Sequence, residues 1–154
     1  MITITLKTHI KAPIQTVFDI SRDITEHEAS SKNTREKAIA GVTSGKINLG
    51  ETVTWRAKHF GVYIKHTSLI SEMESPTFFV DEMVEGVFKS LRHEHIFKEV
   101  DNATDMTDIF NYEVPYGIFG RVFNYFILKS YLTKFLHERN QHIKQRAEIS
   151  NLTG

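Results

Sequence analysis

Two histidines on one strand-like segment are the residues whose types and spacing most suggest chemistry. They lie in the run Arg92-His93-Glu94-His95. Alternate side chains of a strand point to the same side, so His93 and His95 share a face with the apolar Leu91, and Arg92 and Glu94 share the other. Both histidines are therefore predicted to point into the protein.

Two chemistries are open to such a pair. Strand-borne histidines two residues apart could chelate zinc, but a zinc site needs at least a third protein ligand. Asp108 and His59 are the candidates, and no spacing rule selects either of them. The alternative is a buried polar network of neutral imidazoles bonded to aspartate, tyrosine or backbone groups. We favour that network because clustered titratable groups are also common in purely structural settings, and no metal is predicted.

Asp108 is the residue that would make the histidines reactive. It alternates with Phe110 and Tyr112, so an inward-facing Asp108 could hold a histidine in one tautomer and raise its basicity. His93, His95 and Asp108 are accordingly the candidate catalytic residues for a proton transfer. The favoured role of Asp108 is still structural, either fixing a core histidine or facing water.

A second face gathers aromatic side chains. Val53, Trp55, Ala57 and His59 fall at even spacing, which predicts an aromatic wall with one polar tip. Tryptophan is more often a core residue than a platform for a cofactor.

The elements that position these residues begin with a strand. Apolar residues alternate with polar ones from Ile2 to Ile10, which is the period of a half-buried strand. Pro13 ends that strand and suits the start of a short helix. A second short helix is predicted over residues 21–27, where Asp23 is a natural N-cap.

Strand-like segments fill the middle of the chain. They are rich in β-branched and aromatic residues and are separated by glycine-containing turns. Their hairpin succession predicts an antiparallel sheet. These six segments cover residues 36–41, 52–60, 62–73, 77–85, 87–100 and 104–112.

One long helix is predicted over residues 119–149. No glycine or proline interrupts it between Arg121 and Ser150, and about 28 helical residues would run roughly 42 Å. One stripe of it is apolar: Leu128, Leu132, Phe135, Leu136 and Ile143. Its first half is apolar over a wider arc, namely Phe119, Val122, Phe123, Phe126 and Ile127. We interpret that arc as core plus a small exposed patch in preference to a membrane contact; lining of a cavity or a dimer contact is the alternative.

Composition narrows the class of protein. The 154 residues suffice for one domain, predicted to span 1–154. Lysine plus arginine number 19 and so do aspartate plus glutamate, so the positive excess typical of nucleic-acid binders is missing. Without cysteine, no disulfide or thiolate site can form.

The first residues lack the apolar run of a secretion signal, so a cytoplasmic protein is expected. Charges interrupt residues 118–136, so no membrane span is expected.

The chain resembles the START-like helix-grip superfamily, also called SRPBCC, and within it a branch of small bacterial proteins described as cyclase-like or cell-division-like. The likeness extends over essentially the whole chain. It rests on Ile10-Lys11-Ala12-Pro13 followed by Val17-Phe18, on Gly50-Glu51-Thr52-Val53-Thr54-Trp55, on Phe79-Val80-Asp81-Glu82-Met83 followed by Gly86, on Arg92-His93-Glu94-His95-Ile96-Phe97, and on Tyr112-Glu113-Val114-Pro115.

The resemblance implies an α+β fold in which a seven-stranded antiparallel sheet grips the C-terminal helix around an apolar cavity. It also implies that Arg22, Asp23 and His27 stand near the cavity mouth. Lys144, Arg146 and Arg139 are expected on a solvated helix face near the helix end.

The expected function is binding of a small hydrophobic or amphipathic ligand, lipid-like or aromatic polyketide-like, in that cavity. No cofactor and no nucleic acid is expected, and a homodimer is compatible with the sequence. The alternatives are a cyclase- or dehydratase-type proton-transfer enzyme, and a protein-interaction module with an exposed apolar patch around Phe119 and Phe123. The expected ligand-binding residues are Trp55, His59, Phe79, Leu91, His93, His95, Phe97, Asp108, Phe110, Tyr112, Phe126 and Leu132.

Overall fold

A computed structural model describes all 154 residues, and it contains the strands and helices that the sequence predicts. The strands are β1 (Ile2–Ile10), β2 (Lys37–Gly41), β3 (Thr52–His59), β4 (Val62–Glu74), β5 (Phe78–Glu85), β6 (Ser90–Val100) and β7 (Ala103–Glu113). The helices are α1 (Ile14–Ser21), α2 (Ile24–Ser30), α3 (Gly117–Phe123) and α4 (Lys129–Thr153), with a 3₁₀ turn at Lys32–Thr34 and a π-helical turn at Asn124–Leu128.

All seven strands form one antiparallel sheet in the order β1-β7-β6-β5-β4-β3-β2. The sheet is curved, and the prediction of an α+β helix-grip architecture is confirmed. The register of neighbouring strands matters for the site. Asp81 on β5 lies opposite His93 on β6, and His95 on β6 lies opposite Asp108 on β7. Two carboxylates and two imidazoles from three adjacent strands therefore meet on the inner face of the sheet.

The two short helices follow local signals. Pro13 has extended backbone angles and precedes α1 directly. The second helix begins at Ile24, three residues later than predicted, because the Asp23 side chain accepts hydrogen bonds from the backbone N–H groups of Thr25 and Glu26. These bonds satisfy two of the N–H donors that a helix leaves free at its start.

The C-terminal helix runs for 37 residues without a break, through α3, the π-helical turn and α4. Leu132, Leu136 and Ile143 are buried, so the apolar stripe faces the protein as predicted. In the π-helical turn the buried Asn124 accepts a hydrogen bond of 2.5 Å from the Tyr112 hydroxyl. This bond anchors the first half of the helix to β7.

The hydrophobic core divides into two clusters. One surrounds Phe18 of α1, which meets the rings of Phe79 and Phe97 edge-on at 5.7 and 5.5 Å. The other surrounds Tyr112 and includes Leu132 of α4.

The first half of the C-terminal helix departs from the prediction. The wider apolar arc is exposed throughout, so it is neither core nor a small patch. The buried stripe and Asn124 already fix the orientation of the helix, which turns the arc outward. No helix of the structure combines the length and the apolar character that crossing a bilayer would require.

Candidate functional site

A cavity of about 160 Å³ lies between the inner face of the sheet and α4. Hydrophobic residues are 15 of its 26 lining residues, so its wall is mainly apolar with a substantial polar part. Seven residues that the sequence nominated for ligand binding lie in this wall: Trp55, His59, Phe79, Leu91, His93, Phe110 and Leu132. Arg22, Asp23 and His27, which the resemblance placed at the mouth, line it too.

Five nominated residues do not line the cavity. Phe97 and Tyr112 are buried in the two core clusters, while His95 and Asp108 are buried behind His93. Phe126 is 73% exposed, so its assignment to the cavity was wrong. It lies on the outward face of the C-terminal helix.

The candidate catalytic residues His93, His95 and Asp108 form one buried network, and the carboxylate of Asp81 on β5 belongs to it too. His93 Nε2 donates to Asp108 Oδ1 at 2.9 Å, because a carboxylate can only accept. His95 Nε2 donates to Asp81 Oδ2, also at 2.9 Å. The two imidazoles are adjacent, with ring centroids 3.8 Å apart and ring planes tilted by 41°. Each histidine therefore has one nitrogen toward Asp108 and the other toward Asp81.

Two residues of α4 complete the network. Asn140 Nδ2 donates to Asp108 Oδ2 at 2.6 Å. Arg139 Nη1 stands 3.9 Å from Asp108 Oδ1, which is too far for a hydrogen bond but close enough for charge attraction. Both residues are buried, so α4 contributes charge and hydrogen bonding to the sheet as well as apolar packing.

The pKa values of the two histidines are shifted in opposite directions. Burial and the neighbouring His95 lower the pKa of His93, so this imidazole is neutral at pH 7. Burial also acts to lower the pKa of His95, but the nearby carboxylates of Asp108 and Asp81 outweigh it and the pKa is raised. His95 Nδ1 lies 2.9 Å from Asp108 Oδ1 in a direction that does not satisfy a hydrogen bond, so that contact acts through charge.

Both carboxylates are ionised. Burial alone would raise their pKa values, but contact with the histidines holds the pKa of Asp108 well below its usual range and lowers that of Asp81. Two carboxylates therefore face Arg139 and His95, and the raised pKa of His95 favours the cationic form that balances the buried charges.

Arg139 carries unused hydrogen-bonding capacity beside the cavity. Its Nη2 donates to the Ser21 carbonyl oxygen at 3.0 Å, whereas Nε and Nη1 are buried and have no hydrogen-bond partner. The residue is 5% exposed, so the prediction that it lies on a solvated face was wrong. It lines the cavity wall, where it can serve a ligand.

Further histidines enclose the cavity on the side of β3 and β4. His59 Nδ1 is hydrogen bonded to the Tyr131 hydroxyl at 2.6 Å, and His66 Nε2 to Ser68 Oγ at 2.9 Å. His27 stacks on Trp55, with ring centroids 4.2 Å apart. His27 also pairs with the buried carboxylate of Glu36, which lies in the wall as well.

Four polar residues of the cavity wall were not predicted as site residues from the sequence: Glu36, His66, Asp81 and Arg139. Two of them had a signal. Asp81 lies two residues after the inward Phe79 on the same strand, and Arg139 continues the spacing of Leu132 and Leu136 on α4. Glu36 had none, because residue 36 precedes β2. The even spacing of Ile64, His66 and Ile70 was obscured by Leu69, an apolar residue at the odd spacing.

The third potential metal ligand is Asp81, in place of Asp108 or His59. Asp81, His93 and His95 bring three ligand atoms within 4.8 Å of one another. Asp108 would then orient both imidazoles from behind, as outer carboxylates do in metal sites. The same groups are already paired in hydrogen bonds and balanced in charge, and we base no proposal on a metal here.

We expect the protein to lose stability as the pH falls from 7.5 to 5.5. Burial lowers the pKa values of His59, His66 and His93. A histidine with a lowered folded-state pKa stabilises the fold fully above its unfolded value of about 6.5 and loses that contribution as the pH falls toward the folded value. The raised pKa of His95 acts in the opposite direction, through stability lost at higher pH.

Urea unfolding at pH 7.5, 6.5 and 5.5 measures this dependence. Because three histidines have lowered pKa values and one has a raised pKa, we expect the urea midpoint to decline as the pH falls. His59→Gln should make that decline less steep. A midpoint that rises toward pH 5.5 would contradict the expectation.

Comparison with known proteins supports the fold. No family model matches the sequence, and no curated protein matches it. Among solved structures, TTHA0849 from Thermus thermophilus has a TM-score of 0.79 at 14% identity, over 97% of this chain and 99% of that one. A START superfamily protein from Mycobacterium smegmatis has a TM-score of 0.66 at 11% identity, over 98% and 97%. Major latex-like protein 151 from Panax ginseng has a TM-score of 0.66 at 16% identity, over 94% and 96%. These similarities show the helix-grip fold.

Proposed function

We propose that this protein binds a compact, largely apolar ligand that carries one acidic group, in the cavity between the sheet and α4. The observation that carries the proposal is the combination of an apolar wall with Arg139, a buried arginine with two nitrogens, Nε and Nη1, that lack a hydrogen-bond partner. A buried polar group without a partner is costly, and a ligand oxygen would satisfy it.

The volume of the cavity indicates the size of the ligand. An engineered cavity of about 150 Å³ holds one benzene molecule. Pockets for drug-sized ligands measure roughly 300–1,000 Å³. The present cavity, at about 160 Å³, therefore favours a single ring over a long acyl chain. Of the two ligand types expected from the sequence, this supports the aromatic one.

The polar groups indicate how the ligand is oriented. Arg139 and neutral His93 lie in the wall on the side of the network. Arg139 can donate to an acidic oxygen of the ligand, whereas the Nε2–H of His93 is directed at Asp108, so His93 Nδ1 can only accept a hydrogen bond or a proton. The ring would pack against Trp55, Phe110 and Leu132, where burial of apolar surface supplies most of the affinity.

A ligand panel tests the proposal directly. Native mass spectrometry and thermal unfolding would be recorded with benzoate, its neutral analogue benzyl alcohol, and palmitate. Binding stabilises the folded state in proportion to the logarithm of ligand concentration, so a bound ligand raises Tm. We expect the largest shift with benzoate and none with palmitate. Absence of a shift with benzoate, in protein that also carries no co-purified molecule, would overturn the proposal.

Replacing Arg139 with methionine is expected to abolish the preference for the acid. A hydrogen bond to a charged group is worth about 1.5–3 kcal/mol, so benzoate affinity should fall about 10- to 100-fold. Benzyl alcohol should bind both proteins with similar affinity, which makes it the matched control. Isothermal titration with the two ligands measures the difference, and equal losses for both would show that Arg139 only shapes the wall.

Proton transfer is a second candidate function, favoured by the arrangement of His93. Its Nε2–H is directed at Asp108, which leaves Nδ1 unprotonated on a neutral imidazole in the cavity wall. Such a histidine can act as a general base toward a bound carbon acid. Incubating the protein with aromatic ketones in deuterated buffer would reveal exchange of acidic C–H protons. We expect His93→Gln to abolish any exchange, and an unchanged rate in that variant would exclude His93 as the base.

A further inference from the structure

The first half of the C-terminal helix presents a large apolar surface to solvent. We call it the aromatic patch, and its most exposed members are Tyr116, Ile118, Phe119, Val122, Tyr125 and Phe126. Phe119 is 81% exposed and Tyr125 is 80% exposed. Scattered apolar residues on a surface are ordinary, but a contiguous set on two helical turns marks an interaction site.

The tip of the β3–β4 hairpin extends the patch. Phe60 lies in the turn, where polar residues are usual, and Val62 and Tyr63 begin β4; each of the three is half exposed or more. The ring of Phe60 contacts that of Phe123 on α3, with centroids 5.6 Å apart. The hairpin tip and the aromatic patch thus form one continuous apolar surface.

The charges around this surface have one sign. Residues 115–137 contain Arg121, Lys129 and Lys134 and no acidic residue. Residues 52–71, which include the hairpin, contain Arg56, Lys58 and Lys65 and again no acidic residue. The whole chain has a formal net charge of zero, so this cationic rim is a local asymmetry. Only Lys134 has an acidic neighbour, Glu138, at 3.8 Å.

A surface groove beside the patch adds polar donors. It is lined by Tyr125 of the patch together with Lys129, Lys134 and His137, and by the hydroxyls of Ser130 and Thr133. Ammonium groups and hydroxyls of this kind suit the phosphate of a lipid headgroup.

We propose that the aromatic patch and its cationic rim dock the protein on an anionic phospholipid surface. Exposed phenylalanine and tyrosine rings would enter the boundary between headgroups and acyl chains, and the rim would face the anionic headgroups. A second copy of the chain fits less well. A two-fold interface would place each cationic rim against its own copy with no acidic residue of these segments to offset the repulsion.

A buried hydrogen bond fixes the first half of the C-terminal helix to the sheet, with the aromatic patch facing outward. Asn124 is the buried residue of the π-helical turn, and its hydrogen bond to the Tyr112 hydroxyl holds the turn against β7 while the rings point outward. Burial raises the pKa of Tyr112 to about 12, so the hydroxyl stays a donor at physiological pH. Docking therefore requires no rearrangement of the fold.

Vesicle flotation tests the proposal with the full chain. Phosphatidylcholine vesicles would be compared with vesicles that contain one third phosphatidylglycerol, at low and high salt. We expect binding to the anionic vesicles, weakened by salt because exposed charges are screened. The double variant Phe119→Ser/Phe126→Ser should bind about a hundredfold more weakly, since each exposed ring that enters the membrane contributes its burial. Ile149→Ser/Leu152→Ser, on exposed residues at the far end of α4, is the matched control.

A charge variant separates the two parts of the surface. Arg121→Glu/Lys129→Glu should lower binding about thirtyfold, because each basic residue near an anionic surface contributes about 1 kcal/mol. Lys98→Glu, on an exposed residue of β6, should have no effect. Equal binding to neutral and anionic vesicles would overturn the role of the rim. No binding, or a dimer in light scattering that Phe119→Ser/Phe126→Ser dissociates, would overturn the proposal in favour of another partner.

Discussion

Replacing Asp108 with asparagine is expected to destabilise the protein by about 3–5 kcal/mol, the range for removing one partner of a buried ion pair. The Asp108 carboxylate is 1% exposed and accepts hydrogen bonds from His93 and Asn140. It is also the nearest negative charge to Arg139. Asparagine keeps the shape but removes the charge, so Arg139 and the cationic form of His95 would lose the carboxylate that compensates them. A typical domain has a stability of only about 5–15 kcal/mol, so this is a large fraction.

Urea or guanidinium unfolding at pH 7.5 measures this loss, and Asp105→Asn is its matched control. Asp105 lies on the same strand and pairs with His9 at 2.6 Å, but it is half exposed. An exposed pair contributes about 0–1 kcal/mol, so the control should change little. If both variants lost the same small amount, the buried network would not be a major source of stability.

The network also ties the candidate site to the fold. Its members come from β5, β6, β7 and α4, so the groups that would orient a ligand also hold the helix against the sheet. A histidine packed in this way cannot easily change its rotamer. The cavity therefore presents His93 and Arg139 in fixed positions, which lowers the entropic cost of binding an acidic ligand.

Much of the site could be predicted from alternation along strands. The spacing of Trp55 and Ala57 on β3, and of His93 and His95 on β6, placed all four side chains on the inner face, where the structure has them. Period-two patterns are robust because a slip of one residue would turn an entire apolar set toward water. Asp81 lies two residues after the inward-facing Phe79, so alternation places it on the inner face too. An acidic residue within an apolar alternation is, however, ordinarily expected to face solvent.

The helix was harder to predict because apolar periodicity does not reveal what covers an apolar face. Phe126 and Leu132 are equally good core residues by type, yet only Leu132 is buried. The prediction for Arg139 was wrong in the opposite direction, because it was expected to be exposed and is buried. A lone arginine is expected in water, and only the folded chain brings Asp108, from β7, within 3.9 Å of it. Contacts with residues distant in sequence therefore decide which apolar residues of the helix are buried and whether its arginine is.

Replacing Ala57 with phenylalanine is expected to eliminate ligand binding while leaving the fold intact. Ala57 is buried on β3 and lines the cavity, so its new phenyl ring would occupy the space proposed for the ligand ring. Excluding a ring whose burial contributes about 3 kcal/mol should lower benzoate affinity at least about a hundredfold. Strain from overpacking, about 1–3 kcal/mol, is opposed by the gain from filling the cavity.

The measurement is the benzoate-induced shift in Tm, compared between Ala57→Phe and Ala40→Phe. Ala40 is exposed on the neighbouring strand β2, so the same added ring there should leave the shift unchanged. Loss of the shift in Ala57→Phe alone, with circular dichroism and urea midpoint near those of the wild type, would locate binding in the cavity. A shift retained in Ala57→Phe would place the aromatic acid elsewhere, because the cavity has no room for a second ring beside the first.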